Sequence, residues 1–158
     1  MAVVINSNVA GAANVDSIYD IISEYDQRPT IDVAGSGFSY AAGTTNKTII
    51  TITLEKQNGE ALDYTAICDV YLSDDSGGHG VSATASDAMD VEYNSDAANI
   101  GTNVADLSYK VLSSGAGVIS VEVESAANTL YYPSVAIDRY GVAEIFTGAQ
   151  LQASDYGS

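Results

Sequence analysis

Positive charge is scarce in this chain. Five Lys and Arg stand against 21 Asp and Glu in 158 residues, for a formal net charge of −16. Nucleic-acid binding needs clustered cations to neutralise phosphates and release their counterions. Arg28, Lys47, Lys56, Lys110 and Arg139 are scattered, which excludes DNA or RNA as a direct ligand. A polybasic contact with an anionic membrane is excluded on the same ground. Such an acidic surface keeps copies soluble and apart at random encounter. Cysteine is nearly absent too, with Cys68 alone. One thiol makes no internal disulfide, and one His beside it makes no Cys/His metal cage. Cys68 falls in an apolar alternation, where a plain buried thiol is the ordinary reading and a reactive one the exception. No run approaches the ~20 apolar residues of a spanning helix. The opening residues, Met1-Ala2-Val3-Val4-Ile5-Asn6, carry no cation and no long apolar stretch, so no signal peptide is expected.

Residues for catalysis are also sparse. Nucleophilic catalysis needs a base beside the nucleophile, and the single His, His79, lies in a Gly-rich loop where a solvated role is the bland reading. No G-x-S-x-G elbow and no phosphate-binding loop occurs. The chain is therefore expected not to be an enzyme and to carry no cofactor. Asp74-Asp75 and the run Asp87 to Glu92 could in principle offer oxygens to Ca²⁺, but neither matches the spacing of a calcium loop. Among so many acids, solvated surface carboxylates are the simpler account. Trp is absent and Phe occurs twice, yet Tyr occurs 11 times. Tyr131, Tyr132, Tyr140 and Tyr156 could form a glycan platform, although aromatics in sheets more often serve as core or interface.

Hydrophobic residues make up 46% of the chain, enough for a real core and against global disorder. Residues 1–45 differ from the rest. After a small, polar stretch, Asn14 is placed to cap a short helix over about 14–26, and Asp16 suits its first turn. Val15, Ile18, Tyr19, Ile22 and Tyr25 recur at 3–4 spacing and form one apolar stripe. Pro29 ends the helix, and Arg28 before it is biased to an extended conformation. A helix this short is marginal alone in water, so its stripe must bury against its own domain or a neighbouring subunit. The segments Gly35-Ser36-Gly37 and Ala41-Ala42-Gly43 read as a linker.

From Asn46 the period changes to two. Ile50, Ile52 and Leu54 share one face, with Thr51, Thr53 and Glu55 on the other. Asn58-Gly59 signals a tight turn. Leu62, Tyr64, Ala66, Cys68, Val70 and Leu72 then alternate, up to a polar loop at 73–80. Residues 81–101 read poorly, with one short strand around Met89 to Tyr93. Further strands are expected at Asp106–Leu112, through Ile119, Val121 and Val123, at 130–137 and at 142–151. Pro133 suggests an edge or bulge. About seven short strands with turns between them predict an all-β sandwich over residues 46–152, followed by a tail at 153–158. No second copy of the unit is visible.

The order of phrases resembles the immunoglobulin-like domains of tailed-phage head proteins. It runs from "NKTIITITLEKQNGEAL" through Val70-Tyr71-Leu72-Ser73-Asp74 and Gly117-Val118-Ile119-Ser120-Val121-Glu122-Val123 to a closing strand from Gly141 to Gly148-Ala149. The likeness covers roughly residues 44–152. It implies an immunoglobulin-like β-sandwich in a capsid decoration, or cement, protein on the outer surface of the virion. Such a protein is made in the host cytoplasm, has the major capsid protein as partner, and has no catalytic residues. Residues 1–43 lie outside the likeness, and 81–105 depart from it. On this reading the arm docks on capsid subunits or neighbouring copies, or the chain forms a homo-oligomer, through Val15, Ile18, Tyr19, Ile22 and Tyr25. The alternative is an immunoglobulin-like adhesion module that binds a host-surface glycan, with Ca²⁺ as an aid.

Overall fold

Alternating β-branched residues cannot stay helical without exposing half their apolar surface, and here they form strands. The computed structural model describes residues 27–139 and 141–158. The strands are β1 (Pro29–Thr30), β2 (Phe38–Ala42), β3 (Lys47–Thr53), β4 (Glu55–Lys56), β5 (Ile67–Ser73) and β6 (Ala88–Asp90). They continue with β7 (Ala97–Val104), β8 (Ser108–Ser113), β9 (Val118–Glu124), β10 (Tyr132–Arg139) and β11 (Val142–Thr147). Two single-turn 3₁₀ segments, Tyr93–Ser95 and Ala153–Asp155, are the helical elements among the described residues. The chain is all-β.

A four-stranded sheet runs β2-β3-β9-β6, a five-stranded sheet runs β11-β10-β5-β8-β7, and β1 pairs with β4 in a small ribbon. Every strand pairing is antiparallel. The two larger sheets bury their facing sides in one core. Ile50 and Ile52 of β3 and Ile119, Val121 and Val123 of β9 meet Val70 and Leu72 of β5, Val111 of β8 and Val135 of β10. Each such side chain contributes ~1.5–3 kcal/mol when fully buried. The arrangement is sandwich-like: two layers, one core.

The first strong alternation is borne out closely, since β3 reads half-buried and buried in strict turn from Lys47 to Thr53. Elsewhere the structure differs from the expectation. Eleven short strands form among the described residues, against about seven foreseen. Sheet structure begins before residue 45. Phe38–Ala42, which takes in Ala41 and Ala42 of the foreseen linker, pairs with β3 from Phe38↔Ile52 to Ala42↔Thr48. Phe38 and Tyr40 pack against the core, which outweighs the flexibility of the flanking Gly and Ala. The strand foreseen from Leu62 starts only at Ile67, although Leu62 and Ala66 are buried as their alternation implied.

Pro133 lies in β10, an interior strand of the five-stranded sheet and not an edge. Its position resolves the conflict. β11 ends at Thr147, and Pro133 only accepts there, from the Gly148 N–H at 2.9 Å. Leu72 opposite sends its own N–H to Leu107. The missing donor thus falls where no ladder bond needs it. Strand β7 was missed altogether, because Ala97–Val104 is mostly exposed and lacks alternation. The residues foreseen as a tail are anchored. Tyr156 is buried, and Gly157 bridges Thr45 in parallel. The stripe Val15, Ile18, Tyr19, Ile22 and Tyr25 lies outside the described residues.

Candidate functional site

The carboxylates of the polar loop after β5 serve the loop itself. Asp74 accepts from Ser82 Oγ at 2.6 Å and from the Ala83 N–H at 2.9 Å. The Ser82 bond, then the Ala83 bond, hold its carboxyl below the usual range. Asp75 accepts from the His79 backbone N–H at 3.1 Å and pairs with His79 Nδ1 at 2.7 Å. That His79 contact is the leading cause of its lowered pKa. These are side-chain closures of a turn, and His79 is the exposed end of one of them. In the second acidic run, Asp87 accepts from the Ala126 N–H, Asp90 from the Glu92 N–H, and Glu92 from the Asn99 N–H. Each carboxylate caps a different piece of backbone. Among the described residues, no three of His, Cys, Asp and Glu come together as a set able to hold a metal ion.

The tyrosines divide. Tyr131 and Tyr156 are core residues, with hydroxyls donating to the carbonyls of Thr84 and Thr129. Tyr132 is half-buried in β10, and Tyr140 lies outside the described residues. The three described tyrosines therefore do not present a shared ring surface. Cys68 is buried between the sheets, and burial pushes its thiol up to about 12. Such a thiol is protonated and inert near neutrality.

What remains is a surface. The outer face of the five-stranded sheet carries an open hollow of about 630 Å³, with Pro29 and Tyr64 on its wall and Ile67, Asp69, Lys110 and Ala136 among its lining. Strand alternation puts Cys68 and Val70 inward and so turns Ile67 and Asp69 outward. Register then aligns Ile67 with Leu112, and Asp69 with Lys110 on one side and Ala136 on the other. Lys110 Nζ pairs with Asp69 Oδ2 at 2.9 Å, while Asn103 Nδ2 donates to Asp69 Oδ1 at 2.8 Å. Ile67 is 56% exposed, and Ile145 on the neighbouring edge is 39% exposed. The upper part of the same face is roofed by the loop after β5, where Tyr71 Oη donates to the Gly78 carbonyl at 2.6 Å.

This face offers apolar contact around one fixed ion pair, which suits docking of a chain segment better than chemistry on a small molecule. None of its residues stood out as a site in the sequence. The available signal was Ile67, an Ile on the non-core side of a strand whose other face already accounts for the core. No protein-family model matches the chain, and no curated protein matches it in sequence.

Proposed function

We propose that this is a virion structural protein, a capsid decoration protein that stabilises the outer surface of a phage head. In this reading the arm docks on major capsid subunits or neighbouring copies, and the domain is an immunoglobulin-like sandwich. The observation that carries the reading is the sheet order. An immunoglobulin-like sandwich sets its first, second, fifth and fourth strands in one sheet and its third, sixth and seventh in the other. With β2, β3, β5, β6, β9, β10 and β11 taken as those seven strands, the orders β2-β3-β9-β6 and β11-β10-β5 follow that scheme. The hairpin β7–β8 extends the second sheet as an insertion between β6 and β9. Its first strand, β7, lies in the stretch 81–105 that departs from the resemblance to phage head domains.

The net charge of −16 also fits a protein that must not bind packaged nucleic acid. Mechanically, a domain anchored through an arm adds interface area across the joints of a lattice, and many modest contacts together resist pressure. The test is the copy number in purified particles from the protein's source, by quantitative mass spectrometry. A simple ratio to the major capsid subunit is the expected result. A handful of copies, or none, refutes the reading.

A further inference from the structure

The chain leaves β4 through an exposed turn and returns to bridge Glu55 at Ala61. The Gly59 N–H donates to the Lys56 carbonyl at 2.9 Å, and the Lys56 N–H donates to the Glu60 carbonyl at 2.8 Å. Gly59 closes this turn with φ at +82°, a conformation that calls for glycine. A Cβ placed there would meet nothing within 4 Å, and Gly59 and Glu60 are exposed. The Asn58 side chain is folded back along the turn. Its Oδ1 accepts from the Glu60 N–H at 3.1 Å, which closes a ring running through the Gly59 nitrogen. The turn therefore sets beside Asn58 the residue type whose nitrogen no side chain shields, and it does so in water.

We propose that Asn58 is a self-modification site, converting in the folded chain to aspartate and isoaspartate through a cyclic imide with Gly59. The Gly59 nitrogen gives its proton to solvent hydroxide and bonds to Asn58 Cγ. The bond from Cγ to the side-chain nitrogen breaks, and that nitrogen leaves as ammonia. Water then opens the imide. Attack at the side-chain carbonyl gives aspartate, and attack at the main-chain carbonyl gives isoaspartate. Nothing is oxidised or reduced, and water is the co-reactant. The Glu60 N–H already donates to the oxygen on which negative charge gathers as Cγ becomes tetrahedral. Against this stands the bond from the Gly59 N–H to Lys56, an exposed backbone bond of small net worth that the attack gives up. Either product adds a negative charge to a hairpin where Lys56 Nζ already serves Asp63 at 3.2 Å and Glu60 at 3.8 Å. Isoaspartate also lengthens the main chain between positions 58 and 59, which pulls apart the bonds that close the turn. Pro29 and Thr30 of β1 pair with Lys56 and Glu55. The ageing of one side chain thus reaches the first described strand.

The test is incubation of the full folded chain in mildly alkaline buffer, with peptide mass mapping at intervals and enzymatic methylation of isoaspartate as a second readout. Conversion at Asn58 should outpace that at Asn94, which is exposed in a turn of its own but followed by Ser95. Its rate should stay within about tenfold of the rate in urea, because the attack gives up one exposed backbone hydrogen bond. Gly59→Ala and Asn58→Gln should each suppress it. In the aged fraction the Lys56 amide should lose its protection from hydrogen exchange while the core amides keep theirs. Asn58 intact in the folded chain overturns the site, whether or not it converts in urea. A rate no higher than at Asn94 does the same. Isoaspartate formed with the Lys56 amide still protected overturns the link to β1.

Discussion

Tyr156 reaches back across the fold and donates its hydroxyl to the Thr129 carbonyl at 2.6 Å. Its ring is 5% exposed, and burial raises its phenol well above the ordinary range. Next to it, the Gly157 N–H bonds to the Lys47 carbonyl and the Asn46 N–H to the Gly157 carbonyl. The last residues thus act as a clasp across the start of β3.

Removing that clasp should lower global stability. Tyr156→Phe keeps the ring and loses one buried hydrogen bond, an expected loss of about 1 kcal/mol. Tyr156→Ala also leaves a cavity, and the expected loss rises to about 3–5 kcal/mol. Urea unfolding followed by tyrosine fluorescence measures both. Equal midpoints for Tyr156→Ala and the parent chain would show that the C-terminal residues only rest on the domain.

Stability should also fall in alkali. Burial, with Asp155 adding to it, pushes Tyr40 from 10.0 up to about 12. Burial likewise pushes Cys68 from 9.0 up to about 12, with Asp69 adding and Lys110 opposing. Above the unfolded values the unfolded chain has released these protons while the folded chain still holds them, so stability declines as pH rises. Their contribution is fully present below pH ~8.5 and is lost between there and about pH 12. Tyr40→Phe forfeits the 2.8 Å bond to the Ala149 carbonyl at neutral pH, but its urea midpoint should fall less steeply from pH 10 to 12. An unchanged slope would place the alkaline loss elsewhere.

Gly117 turns the chain from β8 into β9 with φ at +71°, and a Cβ there would lie 2.7 Å from Leu62 Cβ and 2.9 Å from the Leu54 carbonyl oxygen. Both neighbours are buried, so neither can move cheaply. Gly117→Ala should destabilise the domain by about 1–3 kcal/mol. Gly115→Ala two residues earlier meets nothing within 4 Å and serves as the control. A matching loss in both would indicate a change in the unfolded chain and not a clash.

Legibility from sequence followed the contrast between the two faces of a strand. β3 and β9 place core residues on one side and Thr, Ser or Glu on the other, and both were readable from their alternation. β7 has little to bury on either face, so Ala97–Val104 left no period to detect. β2 carries only Phe38 and Tyr40 as core-facing markers amid Gly, Ser and Ala, and composition argued for a linker. Pro133 misled because its tolerance depends on where the neighbouring strand stops, a property of register that the sequence does not display. For the surface, Ile67 was visible as a residue but not as exposed. Its exposure depends on which strands flank β5 and on what covers them. The stripe from Val15 to Tyr25 rests on 3–4 spacing alone and lies outside the described residues.

Glu92 and Asn99 have a consequence for growth of the sheet. The Asn99 N–H is held by Glu92 Oε1 at 3.1 Å and the Gly101 N–H by Asn99 Oδ1 at 3.0 Å, so the outermost strand on that side has donors already occupied. Two register shifts in its pairing with β8 further spoil it as a template. Even where copies are crowded together, that border is a poor template for an incoming strand, so a fibril does not grow from that side of the sheet.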